Sequence, residues 1–268
     1  MGHQPALRVG LTLLEHAAMS RIVMVHGAGN DLWGPSSIKT KWFPALADGL
    51  AWHGVDVHEA DVRIAFYGDI FRRDPEEGYE PPVDRAAAIA SVKQIAAHLD
   101  PTIDLDEVVK MLTEHHFDRL LAQAEAYVQQ PTIRTAARAR VEAAVDDDTR
   151  IVIAHSLGTL VAYEALCAHP EWGVTDFVTI GCPLAADMVH PLLDPCPTRG
   201  TGAWPGSVQR WTNIADAHDP AAANSLVDRF SGTVTEYKVD NGHRVHDPEP
   251  YLNNRWTGYA VAAGLAAD

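Results

Sequence analysis

The sequence predicts an α/β protein with a mostly parallel central sheet flanked by helices. Short apolar runs rich in Val and Ile alternate with longer segments whose apolar residues recur at helical spacing. Such alternation is typical of parallel strands joined by crossover helices, with a sheet that is buried on both faces. At 268 residues, the chain is long enough to bury a core without disulfide or metal support.

The first elements follow from local patterns. Ile22–Val25 is an apolar run typical of a buried strand, and the glycines of His26–Asn30 indicate a tight turn after it. Apolar residues one helical turn apart predict a helix near Lys41–Trp52. Val55–Val62 alternates apolar and polar residues, which predicts a second strand.

The segment from residue 66 to about 147 has a different character. Proline and glycine make its first part loop-like, and three helical patterns follow. We expect a helical cap insertion over about 66–130, with the third helix serving as a crossover helix. The loop covers Phe66–Pro82, and the first apolar stripe covers Ile89–Leu99. The second stripe begins at the capping-box pair Asp104 and Glu107 and runs to Val128. Pro131 then breaks the chain, and the third stripe runs from Ile133 to Val145.

Regular alternation returns in the last part of the chain, where Asp247 and Pro248 provide the start signal of the final helix. The predicted strands are Ile151–Ala154, Phe177–Ile180, Val208–Ile214 and Val234–Val239, and the predicted helices are Gly158–Ala168 and a last one that continues to Leu265. Together these elements predict one α/β domain over 21–268, preceded by an N-terminal extension over 1–20.

Composition excludes several classes of function. Lys and Arg number 21 against 36 Asp and Glu, so the net charge is −15. This excess argues against nucleic acid or anionic lipid as a partner, because both require clustered positive charge. Three scattered cysteines fit a reducing compartment, and no apolar run approaches 18 residues, so we expect a cytoplasmic protein without a signal peptide or membrane span.

Residues 151–160 carry the strongest chemical signal. Ser156 lies between a buried strand and a helix, with Ala154 two residues before it and Gly158 two residues after it. A nucleophile on a sharp strand-to-helix turn needs small residues at these two positions, because they approach each other closely. The alternative interpretation is that Ser156 is an ordinary helix N-cap.

The pentapeptide AHSLG in this context resembles the nucleophile elbow of the α/β-hydrolase superfamily, in its serine esterase and lipase-like branch. The strand and turn over 23–29 resemble the superfamily's His-Gly oxyanion turn, and the segment from Val25 to Asn30 is also similar to a group of uncharacterised bacterial hydrolases. The resemblance covers about 21–65 and 150–265. It implies an oxyanion hole built from the backbone N–H groups of Leu157 and Ala28.

The superfamily's chain order of nucleophile, acid and histidine implies an acid after Ser156. Asp219, which precedes Pro220 after a predicted strand, is the preferred candidate. Asp216 follows the same strand and Asp187 follows the preceding one, so both stay open. Asp219 could also simply cap a short helix at Pro220.

The histidine should lie between the last strand and the last helix, where His243 and His246 both occur. We favour His246, because it directly precedes the predicted helix start and is followed by Tyr251 and Leu252, which is similar to the histidine loop of lipase-like relatives. The two histidines could form a metal pair, but no third ligand has suitable spacing, so we expect no metal and no cofactor. A dinucleotide site is also not expected, because Leu32 replaces the third glycine of the required motif.

These residues imply a serine hydrolase that cleaves a carboxylic ester of a small-molecule acyl substrate through an acyl-enzyme on Ser156, His246 and Asp219. A thioester, lactone or amide would fit the same three residues. The alternatives are an acyltransferase or cyclase that uses the same acyl-enzyme, and a catalytically silent binding protein of the same fold. The sequence does not determine an oligomeric state.

Overall fold

A computed structural model of the protein describes residues 21–72 and 115–267. Within them, six strands form one sheet in which every neighbouring pair is parallel, so the predicted α/β architecture is confirmed. The strand order is β2-β1-β3-β4-β5-β6. The strands are β1 (Ile22–Val25), β2 (Val62–Ala65), β3 (Ile151–His155), β4 (Asp176–Ile180), β5 (Arg210–Asp216) and β6 (Val234–Val239).

Helices connect the strands and cover both faces of the sheet. They are α1 (Pro35–Ala51), α2 (His115–Gln129), α3 (Pro131–Glu142), α4 (Leu157–Ala168), α5 (Pro248–Leu252) and α6 (Arg255–Leu265). The apolar residues of β1 and β3 alternate between the two faces, as the pleat of a strand requires. Val23 and Val152 pack with α3 and α4, whereas Ile22 and Ile151 pack with α1, α5 and α6. The sheet therefore separates two apolar cores.

The strand predicted over Val55–Val62 is wrong in its bounds, since β2 begins at Val62. The backbone N–H of His58 donates to the Asp61 carboxylate at 2.8 Å and closes a short 3-10 turn over Glu59–Asp61. This turn ends the extended segment before it reaches the sheet. The four residues of β1 pair with the four residues of β2, with Ile22 opposite Val62.

The sequence predicts one continuous final helix from the start signal at Asp247 to Leu265, and this prediction is wrong. The structure has two helices there, α5 and α6. Asn254 separates them, because its side chain accepts a hydrogen bond from the Trp256 N–H at 3.0 Å and caps α6. The Thr257 hydroxyl donates to the Tyr251 carbonyl at 2.6 Å, which satisfies an acceptor at the end of α5. The break fixes the position of α5 beside the sheet.

Part of the predicted cap and the N-terminal extension fall on residues 1–20 and 73–114, outside the described residues, so both stay predictions. The helical stripe of Ile89–Leu99 and the capping-box start at Asp104 lie there too. The described end of the segment contains α2 and α3, and Pro131 separates them as predicted. Across the described ranges, no helix is long and apolar enough to cross a membrane.

A buried ion pair joins α2 and α3 to α4. The Glu164 carboxylate is fully buried and receives the Tyr127 hydroxyl at 2.6 Å and the Arg134 Nε–H at 2.8 Å. A second guanidinium nitrogen of Arg134 contacts the other carboxylate oxygen. Burial and the negative charge of Glu164 raise the pKa of the Tyr127 hydroxyl. These contacts fix the end of the segment that precedes β3.

Candidate active site

The candidate site lies between β1 and β3, where the order of strands along the sheet changes direction. The chain adds β2 on one side of β1, and it adds β3 to β6 on the other side. Strands β1 and β3 are neighbours, but α1 leaves β1 toward one face and α4 leaves β3 toward the other. The connections diverge at the carboxyl ends of the two strands, and a switch point of this kind is where open α/β sheets bind ligands. The turn after β1 begins at His26, and Ser156 follows β3.

Ser156 occupies a strained turn between β3 and α4. Its backbone has φ 53° and ψ −128°, a region that side chains other than glycine rarely adopt. Its neighbourhood requires small residues: a Cβ added to Gly158 would lie 2.6 Å from the Val25 carbonyl oxygen, and one added to Gly27 would lie 2.9 Å from the Ser156 Cβ. The strand and the strained turn on which the sequence prediction depended are present, and Gly158 is confined by the backbone of β1 and the turn after it.

The structure places Ser156, His246 and Asp219 in one hydrogen-bonded chain. The Ser156 Oγ is 2.9 Å from the His246 Nε2, and the His246 Nδ1 is 2.8 and 2.9 Å from the two carboxylate oxygens of Asp219. Because a carboxylate only accepts, the Nδ1 must carry the proton, and the Nε2 is free to accept from the serine hydroxyl. The geometry is that of a nucleophile, a base and an orienting acid.

Asp219 is nearly completely buried and is held by further donors. The Ala221 N–H donates to one carboxylate oxygen at 2.9 Å, and the Tyr251 hydroxyl donates to the other at 2.8 Å. Burial is the largest single influence and raises the pKa of this carboxyl. The hydrogen bonds and charge of His246, with the donors Tyr251 and Ala221, outweigh it, so the pKa lies below its usual value. The acid is therefore held as a carboxylate.

The other sequence candidates lie elsewhere. Asp216 is also buried, but its carboxylate accepts from the backbone N–H groups of His218 and Asn241. The Asp187 side chain is 87% exposed and pairs with Arg229 at 3.4 Å. His243 is exposed. Among the described residues, Asp219 and His246 are the two that reach Ser156 as a connected pair.

The turn over 26–31 presents backbone N–H groups beside Ser156. The Gly29 N–H is used by the Gln123 side chain at 2.8 Å. The N–H groups of Ala28 and Leu157, the two predicted oxyanion donors, have no hydrogen-bond acceptor among the residues that the structure describes. Both flank the point where Gly27 meets Ser156.

The His26 side chain stabilises this turn. Its Nδ1 donates to the Gly27 carbonyl at 2.7 Å, and its Nε2 accepts from the Tyr67 N–H at 3.1 Å. The Tyr67 hydroxyl donates back to the His26 carbonyl at 2.6 Å, and the two rings stack at 4.2 Å. Burial lowers the pKa of His26 to about 4, so the ring is neutral near pH 7.

His155, the residue before Ser156, has a structural role that the sequence did not indicate. Its Nε2 donates to the His246 carbonyl oxygen at 2.8 Å and so links β3 to the histidine loop. Burial, followed by the nearby His246, lowers the pKa of His155 to about 3. A neutral imidazole with one fixed donor thus holds the loop that carries His246.

A second group of residues outside the sequence prediction connects α2 to the turn over 26–31. Gln123 accepts from Gly29 and donates to the buried Asp31 carboxylate at 2.8 Å. Arg119 forms an ion pair with the same carboxylate. These partners are 88 to 94 residues apart in the chain, and no local pattern indicates their pairing. Two residues of α2 therefore hold the turn after β1.

No family model matches the sequence, and no curated protein matches it. A crystal structure of the esterase domain of a Rhodothermus marinus protein is similar to this chain, with 12% identity and a TM-score of 0.36 over 93% of this chain and 87% of that chain. A likeness this distant carries no functional weight, and the geometry around Ser156 is what bears on function.

Proposed function

We propose that the protein is a serine hydrolase of the α/β-hydrolase superfamily that cleaves carboxylic esters through an acyl-enzyme. The observation that carries the proposal is the continuous hydrogen-bonded chain from the Asp219 carboxylate through His246 to the Ser156 hydroxyl. A free serine hydroxyl is a weak nucleophile near pH 7 and needs such a base. The strained backbone of Ser156, at the point where the connections of the sheet diverge, supports the same role.

In the acylation step, the Ser156 Oγ attacks the carbonyl carbon of the ester while the His246 Nε2 takes the hydroxyl proton. Asp219 accepts from the Nδ1–H and stabilises the imidazolium that forms. Collapse of the tetrahedral intermediate breaks the bond to the leaving alcohol, which receives the proton from the Nε2. The Ser156 ester that results is the acyl-enzyme.

The tetrahedral intermediate carries a negative oxygen that requires donors fixed before the reaction. The backbone N–H groups of Leu157 and Ala28 are the proposed donors, and each would contribute about 3–4 kcal/mol to the transition state. Leu157 opens α4, whose N-terminal end also favours negative charge. A water molecule, activated by the same Nε2, then attacks the acyl carbon and releases the acid.

The test is stopped-flow hydrolysis of p-nitrophenyl esters of increasing chain length. We expect a burst of p-nitrophenol equal to one equivalent of enzyme, an acyl adduct on the protein by mass spectrometry, and release of free acid. Ser156→Ala should lose the burst and the adduct, whereas Ser231→Ala, which alters an exposed serine, should retain both. Wild-type protein that is folded but gives neither burst nor adduct would contradict the proposal.

A further inference from the structure

Tyr251 contacts Asp219 on the side away from Ser156, and the proposed reaction assigns it no role. Its side chain is fully buried at the beginning of the last helical region, in α5. Its hydroxyl oxygen is 2.8 Å from one carboxylate oxygen of Asp219 and 2.9 Å from the backbone nitrogen of Asp216. The hydroxyl therefore bridges the two ends of the loop that follows β5.

The direction of these two hydrogen bonds is fixed by their chemistry. The Asp216 nitrogen can only donate, so the tyrosine oxygen accepts there. The carboxylate of Asp219 can only accept, so the hydroxyl proton points at it. Two donor chains therefore converge on the Asp219 carboxylate, one from the Asp216 N–H through Tyr251 and one from the Ser156 hydroxyl through His246.

The two oxygens of Asp219 are held symmetrically. Each lies within 2.9 Å of the His246 Nδ1, and each has one additional donor: the Ala221 N–H on one and the Tyr251 hydroxyl on the other. Without the hydroxyl, one oxygen would keep His246 as its single donor. The carboxylate would then be more basic, and nothing would fix its rotation on that side.

We propose that Tyr251 is a positioning residue that sets the orientation and the basicity of Asp219 toward His246. The inference rests on the proposed function for its catalytic consequence. Its physical content is that the phenol donor withdraws charge from the carboxylate and limits how strongly Asp219 stabilises the imidazolium. The titratable groups that face this pair are His246 and His155, Asp216 and, through its contact with Asp216, His218.

Tyr251→Phe removes the donor and keeps the ring. A more basic Asp219 favours the imidazolium, so a larger fraction of the enzyme lacks a free base at acidic pH. We expect the acidic limb of the kcat/KM profile to move to higher pH by about 0.5–1 pH unit, as the loss of one neutral hydrogen bond predicts. At pH values on the acidic side of the limb, kcat/KM should fall roughly three- to tenfold. At higher pH the decrease should be smaller. A purely structural role would lower activity equally at every pH.

Tyr163→Phe is the matched control. Tyr163 is equally buried and its hydroxyl donates to the Ala203 carbonyl at 2.9 Å, within the other core of the protein. Its removal should cost a similar hydrogen bond and leave the pH profile in place. An upward shift in Tyr251→Phe alone supports the proposal, and equal shifts in both variants, or a pH-independent loss in Tyr251→Phe, would overturn it.

A readout that needs no catalysis separates this proposal from the proposed function. The Nδ1 proton of His246 can be observed by low-temperature NMR and assigned by its loss in His246→Asn. We expect it to move downfield in Tyr251→Phe, because its bond to Asp219 strengthens, and to stay in place in Tyr163→Phe. An inactive wild type with this downfield shift would contradict the hydrolase alone, and an unmoved resonance would contradict the role of Tyr251 alone.

A second variant covers the case in which Tyr251→Phe does not fold. Incorporation of 3-fluorotyrosine at position 251 keeps the hydroxyl and makes it a stronger donor. The acidic limb and the Nδ1 proton should then both move in the direction opposite to that expected for Tyr251→Phe. Movement in the same direction, or none, would overturn the proposal.

Discussion

The two buried histidines beside Ser156 predict a steep loss of stability in acid. Burial lowers the pKa of His26 to about 4 and that of His155 to about 3 in the folded protein, whereas both are near 6.5 in the unfolded chain. Since the unfolded chain binds these protons first, the stabilising contribution is fully present above pH 6.5. It is lost as the pH falls from there toward the folded values.

The magnitude follows from the two pKa values of each residue. Between pH 8 and pH 5, protonation of the unfolded chain should cost about 2 kcal/mol for His155 and about the same for His26, because pH 5 lies above both folded values. Wild-type protein should thus lose about 4 kcal/mol of unfolding free energy from these two residues over this range. That is a large fraction of the ~5–15 kcal/mol typical of a folded domain.

The assay is urea unfolding at pH 8 and pH 5, followed by circular dichroism. The decrease in unfolding free energy between the two pH values should be about 2 kcal/mol smaller in His155→Gln than in the wild type. Met24→Ala, which alters a buried residue that does not titrate, should lower stability by the same amount at both pH values. The reasoning is refuted if His155→Gln shows the same pH difference as the wild type.

Three further predictions concern the framework of the site. Gln123→Ala should lower kcat about tenfold with little change in KM in steady-state assays, because the turn over 26–31 loses its hydrogen bond to α2. Gln129→Ala, on the exposed side of α2, is the control and should change neither kcat nor KM. Glu164→Leu should lower the unfolding free energy by about 3–5 kcal/mol by leaving Arg134 without its partner, and the added change Arg134→Leu should restore most of it in urea titrations. Gly158→Val should abolish the p-nitrophenol burst and destabilise the protein by about 1–3 kcal/mol, since its side chain would meet backbone carbonyls, and a variant of wild-type stability and activity would contradict this.

Local patterns were sufficient to predict the architecture and the strained turn at Ser156. The alternating strands and helices predict the parallel sheet because each element is chosen by short-range periodicity. The sequence predicts Ser156 as the nucleophile because a strained turn restricts its immediate neighbours to small residues, and backbone oxygens leave no room for a side chain at Gly158. The bounds of β2 were missed because Asp61 closes a turn within an otherwise strand-like segment.

The acid could only be narrowed from the sequence to a few candidates. Asp216 is the last residue of β5 and Asp219 follows it closely, and both are buried. Their difference lies in the loop between them, which turns one carboxylate toward backbone N–H groups and the other toward His246. That choice depends on three-dimensional contacts of a short loop, for which the sequence has no periodic pattern.

The supporting residues could not have been predicted for a related reason. Tyr251 meets Asp219 across 32 positions of the chain, His155 meets His246 across 91, and Gln123 meets Gly29 across 94. Each pair forms because strands and helices bring distant segments together. A single sequence offers composition and spacing, and neither quantity encodes such a pairing.

Labelling with a fluorophosphonate tests the activated serine most directly. Wild-type protein, Ser156→Ala and Ser231→Ala are incubated with the reagent, digested and mapped by mass spectrometry. The geometry of Ser156, His246 and Asp219 predicts one adduct, on Ser156, in the wild type and in Ser231→Ala and none in Ser156→Ala. Folded wild-type protein that carries no adduct, or an adduct at another residue, would contradict the assignment.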